Sequence, residues 1–400
     1  MTKKEKDLGN YIAGITGIDH AAADAAGKRL DGLVKPPGSL GRLEDIAARL
    51  AGITGQVCNS MDRRCVIIMC SDNGVVEEGV ASAPQSVTYA QTINFTRGIT
   101  GVAVLAKCFN ADLMVVDVGI NADISHPGII SRKIRKGTSN LAKQPAMTRD
   151  EAVSAMLTGI EMAGEARRKG YKIIGAGEMG IGNTTTSSAV LCALTGIDAG
   201  LAVGKGAGLS NEGFEKKKQI IMDAIKMHKP DPNDAIDVIS KVGGFDIAAM
   251  TGVFLGAAYY KLPVVIDGFI SAVAALAAAR LAGLAAEYMI PSHASYEPGY
   301  IFAARELGLE PVLMLDMRLG EGSGCPIMFM VIDAACAILR DMGTFAEAGI
   351  DDEYLENIKG EECFSTENNS TENNFTVNKS TGNSYRERIK LQAVMICSYD

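Results

Sequence analysis

Residues 148–186 read TRDEAVSAMLTGIEMAGEARRKGYKIIGAGEMGIGNTTT, and three local patterns follow one another within them. Thr148 and Glu151 stand at capping-box spacing. Val153, Met156, Leu157, Ile160 and Ala163 recur on one helical face, so the spacing predicts a helix over 148–169. Gly170 stops it. YKII at 171–174 is a short apolar run of strand type, and a glycine-rich turn leads from it into a second helical pattern. Helix, strand, glycine turn and helix form the repeating unit of a parallel sheet covered on both faces.

Five other runs match YKII: CVIIMC at 65–70, DLMVV at 112–116, PVVI at 263–266, EYMI at 287–290 and PVLML at 311–315. The expected fold is therefore α/β: a Rossmann-like, mostly parallel sheet of about six strands with helices on both faces. The N-terminal and C-terminal segments are expected to add a smaller helical unit. Residues 1–60 read as a helical segment interrupted by KPPGSLGRLE at 35–44, where two prolines and a glycine demand a turn and Ser39 is placed to cap the next helix. Residues 61–350 read as the α/β catalytic domain. Residues 351–400 turn polar, repeat STENN, and read as a disordered tail.

Composition narrows the function. The 400 residues are 47% hydrophobic and carry 44 glycines, which suits many tight strand-to-helix turns around a real core. A net charge of −8 argues against nucleic acid as a partner. No signal peptide is read at the N-terminus, and the apolar stretch 262–286 is broken by Asp267 and Arg280, so no membrane association is expected. Nine scattered cysteines without a CxxC pair and four unclustered histidines point to a reducing cytoplasm, with no metal and no cofactor.

Ligands of open parallel sheets bind beyond the carboxyl ends of the strands. Asp72, Asp117, Glu178, Asp267, Ser292/His293 and Glu321 fall there. One acidic residue at a strand end is most often a helix cap; five on one rim shift the balance towards a site. The turn 175–186 combines glycines and threonines at a helix N-terminus, which favours a phosphate. It is neither a Walker A loop nor a dinucleotide fingerprint. RLGEGSG at 318–324 holds Glu321 between glycines. A carboxylate buried in such a loop becomes a usable general base; a solvated one is only a surface turn. His293 reads as a structural histidine. The lysine run 216–218 reads as a solvated helix face from which one lysine could reach a phosphate.

Taken together, KPPGSLGRLE (35–44), SDNGVVEEGV (71–80), PQSVTYAQTINFTRGITG (84–101), GEMGIGNTTT (177–186), GGFDIAAMTG (243–252), DGFISAVAAL (267–276), SHASYEPGY (292–300) and RLGEGSG (318–324) resemble, in order, the nicotinate-nucleotide:dimethylbenzimidazole phosphoribosyltransferase family. The resemblance implies transfer of phosphoribose from nicotinate mononucleotide to a benzimidazole-type base, with inversion at the anomeric carbon, in a homodimer. It implies Glu321 as the base, assisted by Glu178. Gly180, Gly182, Asn183, Thr184, Lys217, Gly268 and Ser295 would hold phosphate and ribose. Pro84, Gln91 and Leu319 would wall the base pocket. Two positions depart from the family pattern: Asn73 and Tyr300 stand where many members have His. The acceptor stays open between benzimidazoles, adenine and phenolic compounds. Two other readings compete. One is a nucleotide-dependent oxidoreductase or ligase, which needs a GxGxxG after the first strand that Cys70–Val75 lacks. The other is a non-catalytic azole carrier, which has no need of Glu321.

Overall fold

The computed structural model describes residues 2–206 and 208–351. The expected tail at 351–400 therefore lies almost wholly outside the described residues. Residues 1–343 form one compact unit.

Six strands form one parallel sheet: β1 (Arg64–Ser71), β2 (Asp112–Gly119), β3 (Ile129–Ser131), β4 (Ile173–Met179), β5 (Val264–Ile266) and β6 (Met289–Pro291). Their spatial order is β3-β2-β1-β4-β5-β6. The direction of winding reverses between β1 and β4, which opens a crevice at the carboxyl ends of those strands. Side chains alternate across β1, as a doubly covered strand requires. Cys65, Ile67 and Met69 join the larger core with helices Arg149–Arg168, Phe245–Tyr259 and Phe269–Leu281. Val66, Ile68 and Cys70 face the other core, which helices His20–Asp31, Arg42–Thr54 and Gly324–Asp341 cover. The helices His20–Asp31, Arg42–Thr54 and Gly324–Asp341 thus supply the layer on one face of the sheet, whereas the first helix, Lys3–Ala13, buries Leu8 in the larger core on the other.

The helix that opened the reading runs Arg149–Arg168, with both bonds of the capping box from Thr148 formed. It lies so close to helix Phe245–Tyr259 that a Cβ on Gly159 would overlap the Ala249 carbonyl oxygen. The helix Arg42–Thr54 begins after Gly41 at positive φ without a side-chain cap, so Ser39 does not cap it.

Two strands differ from expectation. PVLML at 311–315 forms no strand. Leu313 makes a single parallel bridge to His293, and Met314 and Leu315 are about half exposed. Pro311 offers no N–H to a ladder, so the segment only grazes the sheet edge. The sixth strand is instead β3, three residues long and too short for an apolar pattern to reveal. Strand β4 also runs past the expected YKII, through Gly175 to Met179. It keeps glycines because other segments press on it: a Cβ on Gly177 would overlap the Glu321 carbonyl oxygen. Among the described residues, no helix is long and apolar enough to cross a membrane.

Candidate active site

A cleft of about 340 Å³ opens at the carboxyl ends of β4, β5 and β6, within the size range of small-ligand pockets. Its floor carries Glu178 from β4, Asp267 after β5 and His293 after β6; Glu321 closes one wall.

Glu321 is only 5% exposed. Its backbone is held at φ 66° between Gly320 at 82° and Gly322 at 88°. A positive φ is costly for a side-chain-bearing residue, so the surroundings must enforce it, and they do. Gln91 Nε2 donates to Glu321 Oε1 at 2.7 Å, and the Val102 N–H donates to Oε2 at 3.0 Å. The Glu321 N–H itself donates to Glu178 Oε1 at 3.3 Å. Asp267 accepts the Gly322 and Gly324 N–H groups at 3.1 and 2.6 Å. A loop that reads as flexible in sequence is thus pinned by Gln91, Val102, Glu178 and Asp267 together. Each oxygen of Glu321 keeps lone-pair capacity for a further donor.

Glu178 is buried and accepts from the Asn183 carboxamide. Burial first, then the nearby Asp246 charge, pushes its carboxyl up to about 8. Asp267 is also raised by burial, against the opposing pull of His293. His293 lies 3.9 Å from Asp267 and shares a 3.1 Å hydrogen bond with Ser292.

One corner of the cleft lies where the helix Asn183–Thr195 begins, behind Gly182 at φ 92°. The helix dipole favours an anion there. Lys217 reaches the same corner from the helix Asn211–His228. It is fully buried, and its Nζ donates to Thr184 Oγ1 at 2.9 Å and to the Gly204 carbonyl at 3.1 Å. Burial pulls its ammonium down to about 8, with Glu297 as the opposing influence. Lys217 is therefore not part of a solvated face, although its neighbours Lys216 and Lys218 are far less buried.

Gly180, Gly182, Asn183, Thr184, Gly268, Ser295, Gln91 and Leu319 all line the cleft. Leu319 is 58% exposed at its mouth. Lys217 stands just behind the lining. Pro84 does not line the cleft: it is exposed on the segment leading to the helix Ser86–Arg97, and its neighbours Ser82 and Ala83 form the wall instead. Sequence reading assigned no role to Asp246, Glu297 or Arg318, and it made His293 only structural. All three lie inside stretches that match the family, SHASYEPGY, RLGEGSG and GGFDIAAMTG, but neither spacing nor residue type singles them out there.

The rim acids divide. Asp117 and Asp72 do not reach the cleft. Asp117 accepts the N–H groups of Gly119 and Ile120 and pairs with Lys133 at 3.1 Å. Asp72 accepts the Asn121 N–H at 2.7 Å. Asn73 is buried beside Asp246, and its amide opposes the upward push of burial on that carboxyl.

Comparison with known proteins fits this geometry. A family model described as a phosphoribosyltransferase matches residues 15–350. The nicotinate-nucleotide–dimethylbenzimidazole phosphoribosyltransferase of Clostridium perfringens (strain 13 / Type A) is 59% identical over 357 residues, covering 89% of this chain and 99% of its own. The enzyme of that name from Ruminiclostridium cellulolyticum is 57% identical over 326 residues, covering 82% and 93%. The crystal structure of CobT from Thermus thermophilus superposes with a TM-score of 0.80 at 39% identity, covering 83% of this chain and 99% of that one. With its sheet, its cleft and these likenesses in agreement, the chain belongs to the nicotinate-nucleotide–dimethylbenzimidazole phosphoribosyltransferase family.

Proposed function

We propose that this phosphoribosyltransferase moves the phosphoribosyl group of nicotinate mononucleotide onto 5,6-dimethylbenzimidazole or a closely related base. The products are α-ribazole 5'-phosphate and nicotinate. The observation that carries the reading is Glu321: a buried carboxylate, fixed at positive φ, with spare lone pairs at the wall of the cleft.

The chemistry asks little of the protein. One azole nitrogen attacks the anomeric carbon from the face opposite the leaving group, which inverts that carbon. The C–N bond to the pyridinium breaks, and its electron pair returns to the ring nitrogen, so nicotinate departs without needing an acid. The other azole nitrogen gives its proton to Glu321. Gln91 and Val102 aim that carboxylate, and Gln91 with Leu319 offers a wall for the flat base. Glu178 steadies the loop through the Glu321 N–H. The helix N-terminus at Asn183, with Gly180, Gly182, Thr184 and Lys217, takes the phosphate; Gly268 and Ser295 let the ribose approach the floor. Orientation of two bound reactants supplies much of the acceleration.

The seven described cysteines are all free, and five are buried, which supports a reducing cytoplasm. By analogy with the family we take the working unit to be a homodimer. The reading is tested by incubating the purified protein with nicotinate mononucleotide and a panel of azoles, adenine and phenols. Nicotinate release that depends on an added azole is the expected result. Release that no base elicits removes the proposal; release with adenine or phenols alone replaces the acceptor.

A further inference from the structure

Asp246 stands in the first turn of the helix Phe245–Tyr259 and is fully buried, yet it has no part in the reaction as described. Its Oδ1 accepts the Ile247 N–H at 3.0 Å. Its Oδ2 accepts from Asn183 Nδ2 at 3.1 Å, and that same nitrogen donates to Glu178 Oε2. A carboxamide nitrogen carries two hydrogens, so it can serve both acceptors at once. One amide thereby joins two buried carboxyl groups, one at the end of β4 and one at the head of a helix. On the Glu178 side the further charged group is Asp267, which also favours the protonated form, whereas the donor bonds from the Asn183 amide and the Glu321 N–H favour the ionised one. The Cys70 thiol lies near both members and is kept neutral by burial.

Two carboxyls held this way, away from water, do not both ionise near neutrality. The helix N-terminus and the Ile247 N–H favour the charge on Asp246. The proton therefore rests on Glu178, in line with its carboxyl being held at about 8 and that of Asp246 at about 6, burial being the first cause of each. We propose that Asp246 is a positioning residue: its negative charge, fixed close to Glu178 by the Asn183 amide they share, keeps Glu178 protonated, so that Glu321 is the one anion of that pair facing the acceptor base. An ionised Glu178 would repel the anionic mononucleotide and crowd Glu321 with a second negative charge. This inference rests on Glu321 being the base.

The test is the pH profile of kcat/KM for azole-dependent nicotinate release. Removing the Asp246 charge lets Glu178 lose its proton more readily. In Asp246→Asn the alkaline limb is expected to move to lower pH by about one unit or more, the usual scale for a lost like-charge neighbour. In a Glu178→Gln background, with no carboxyl left to titrate, Asp246→Asn should move no limb. A limb unmoved by Asp246→Asn overturns the inference, as does an equal shift in the Glu178→Gln background. Should Asp246→Asn fail to fold, infrared spectroscopy of the unaltered protein reads the same proton. A protonated-acid carbonyl band at neutral pH that Glu178→Gln abolishes supports the assignment, and its absence overturns it. That band is independent of turnover. A protein that shows it but releases no nicotinate with any base refutes the proposed function, and with it the catalytic use of the proton.

Discussion

The two halves of the sheet's rim carry the same kind of residue to different ends. On the β1–β2 side, Asp117 is as deeply buried as any carboxylate of the cleft, but it is spent within the fold. It takes two backbone N–H groups and the ammonium of Lys133, which also donates to the Ile120 and Ala122 carbonyls. On the β4–β6 side, Glu178, Asp267 and Glu321 accept mainly backbone and amide N–H groups and border an open cleft. Burial is common to both halves; what separates Asp117 from the acids of the cleft is the internal lysine that neutralises it. Neutralised in this way, the acid is structural. Where N–H groups hold the carboxylate at the edge of a cavity, its remaining lone pairs are available to a substrate.

That contrast is most exposed to test at Glu321. Glu321→Gln keeps the shape and the Val102 bond but removes the carboxylate proposed as the base. Turnover is expected to fall by roughly two or more orders of magnitude, with mononucleotide binding little changed. Steady-state kinetics together with calorimetric titration of nicotinate mononucleotide decide it, and unchanged turnover would strip Glu321 of its role. Gly177→Ala tests whether position alone matters. Its Cβ would press on the Glu321 carbonyl, and a displacement on the order of 1 Å costs about a hundredfold in rate. A fully active, folded Gly177→Ala would mean that the loop tolerates displacement.

On the other half of the rim the expected effect is on stability. Lys133→Met leaves Asp117 buried without its cation, a loss of about 3 kcal/mol. Denaturant unfolding measures it, while the activity per folded molecule should stay within about twofold of the parent. A large loss of kcat in a stable Lys133→Met would erase the distinction between the halves. The smallest effect is expected from ending the chain after residue 350, where the family match also ends. Such a truncate should keep the parent's kcat and KM, and a folded but inactive one would give the removed residues a role in the reaction.

Much of this was legible in the chain. The capping box at Thr148, the apolar stripe behind it and the strand-turn-helix rhythm identify the α/β sheet from local rules alone, because each depends only on neighbours within a few residues. All the strands except β3 follow from short apolar runs. PVLML misleads because an apolar run states a wish for burial, and Pro311 and the end of the sheet deny it. The short strand β3 is invisible for the opposite reason: its pairing with β2, not its composition, makes it a strand. Most of the residues placed at the cleft were also within reach, through motifs at strand ends. By spacing alone Lys217 read as part of a charged surface, because its neighbours are charged; the resemblance singled it out, and only the fold turns it inward.

Residue order alone was enough for the class of fold, the family and the short set of acids and glycines from which a site could be made, since these are matters of spacing and residue type. Which of those acids border the cleft was settled by the folded chain. Glu321 is held at positive φ by Gln91, Val102 and Glu178, partners 143 to 230 positions away. The Asn183 amide joins Glu178 to Asp246, which stands 63 positions beyond it. A carboxylate's charge and aim are set by what surrounds it in space, and no local pattern of residues carries that information.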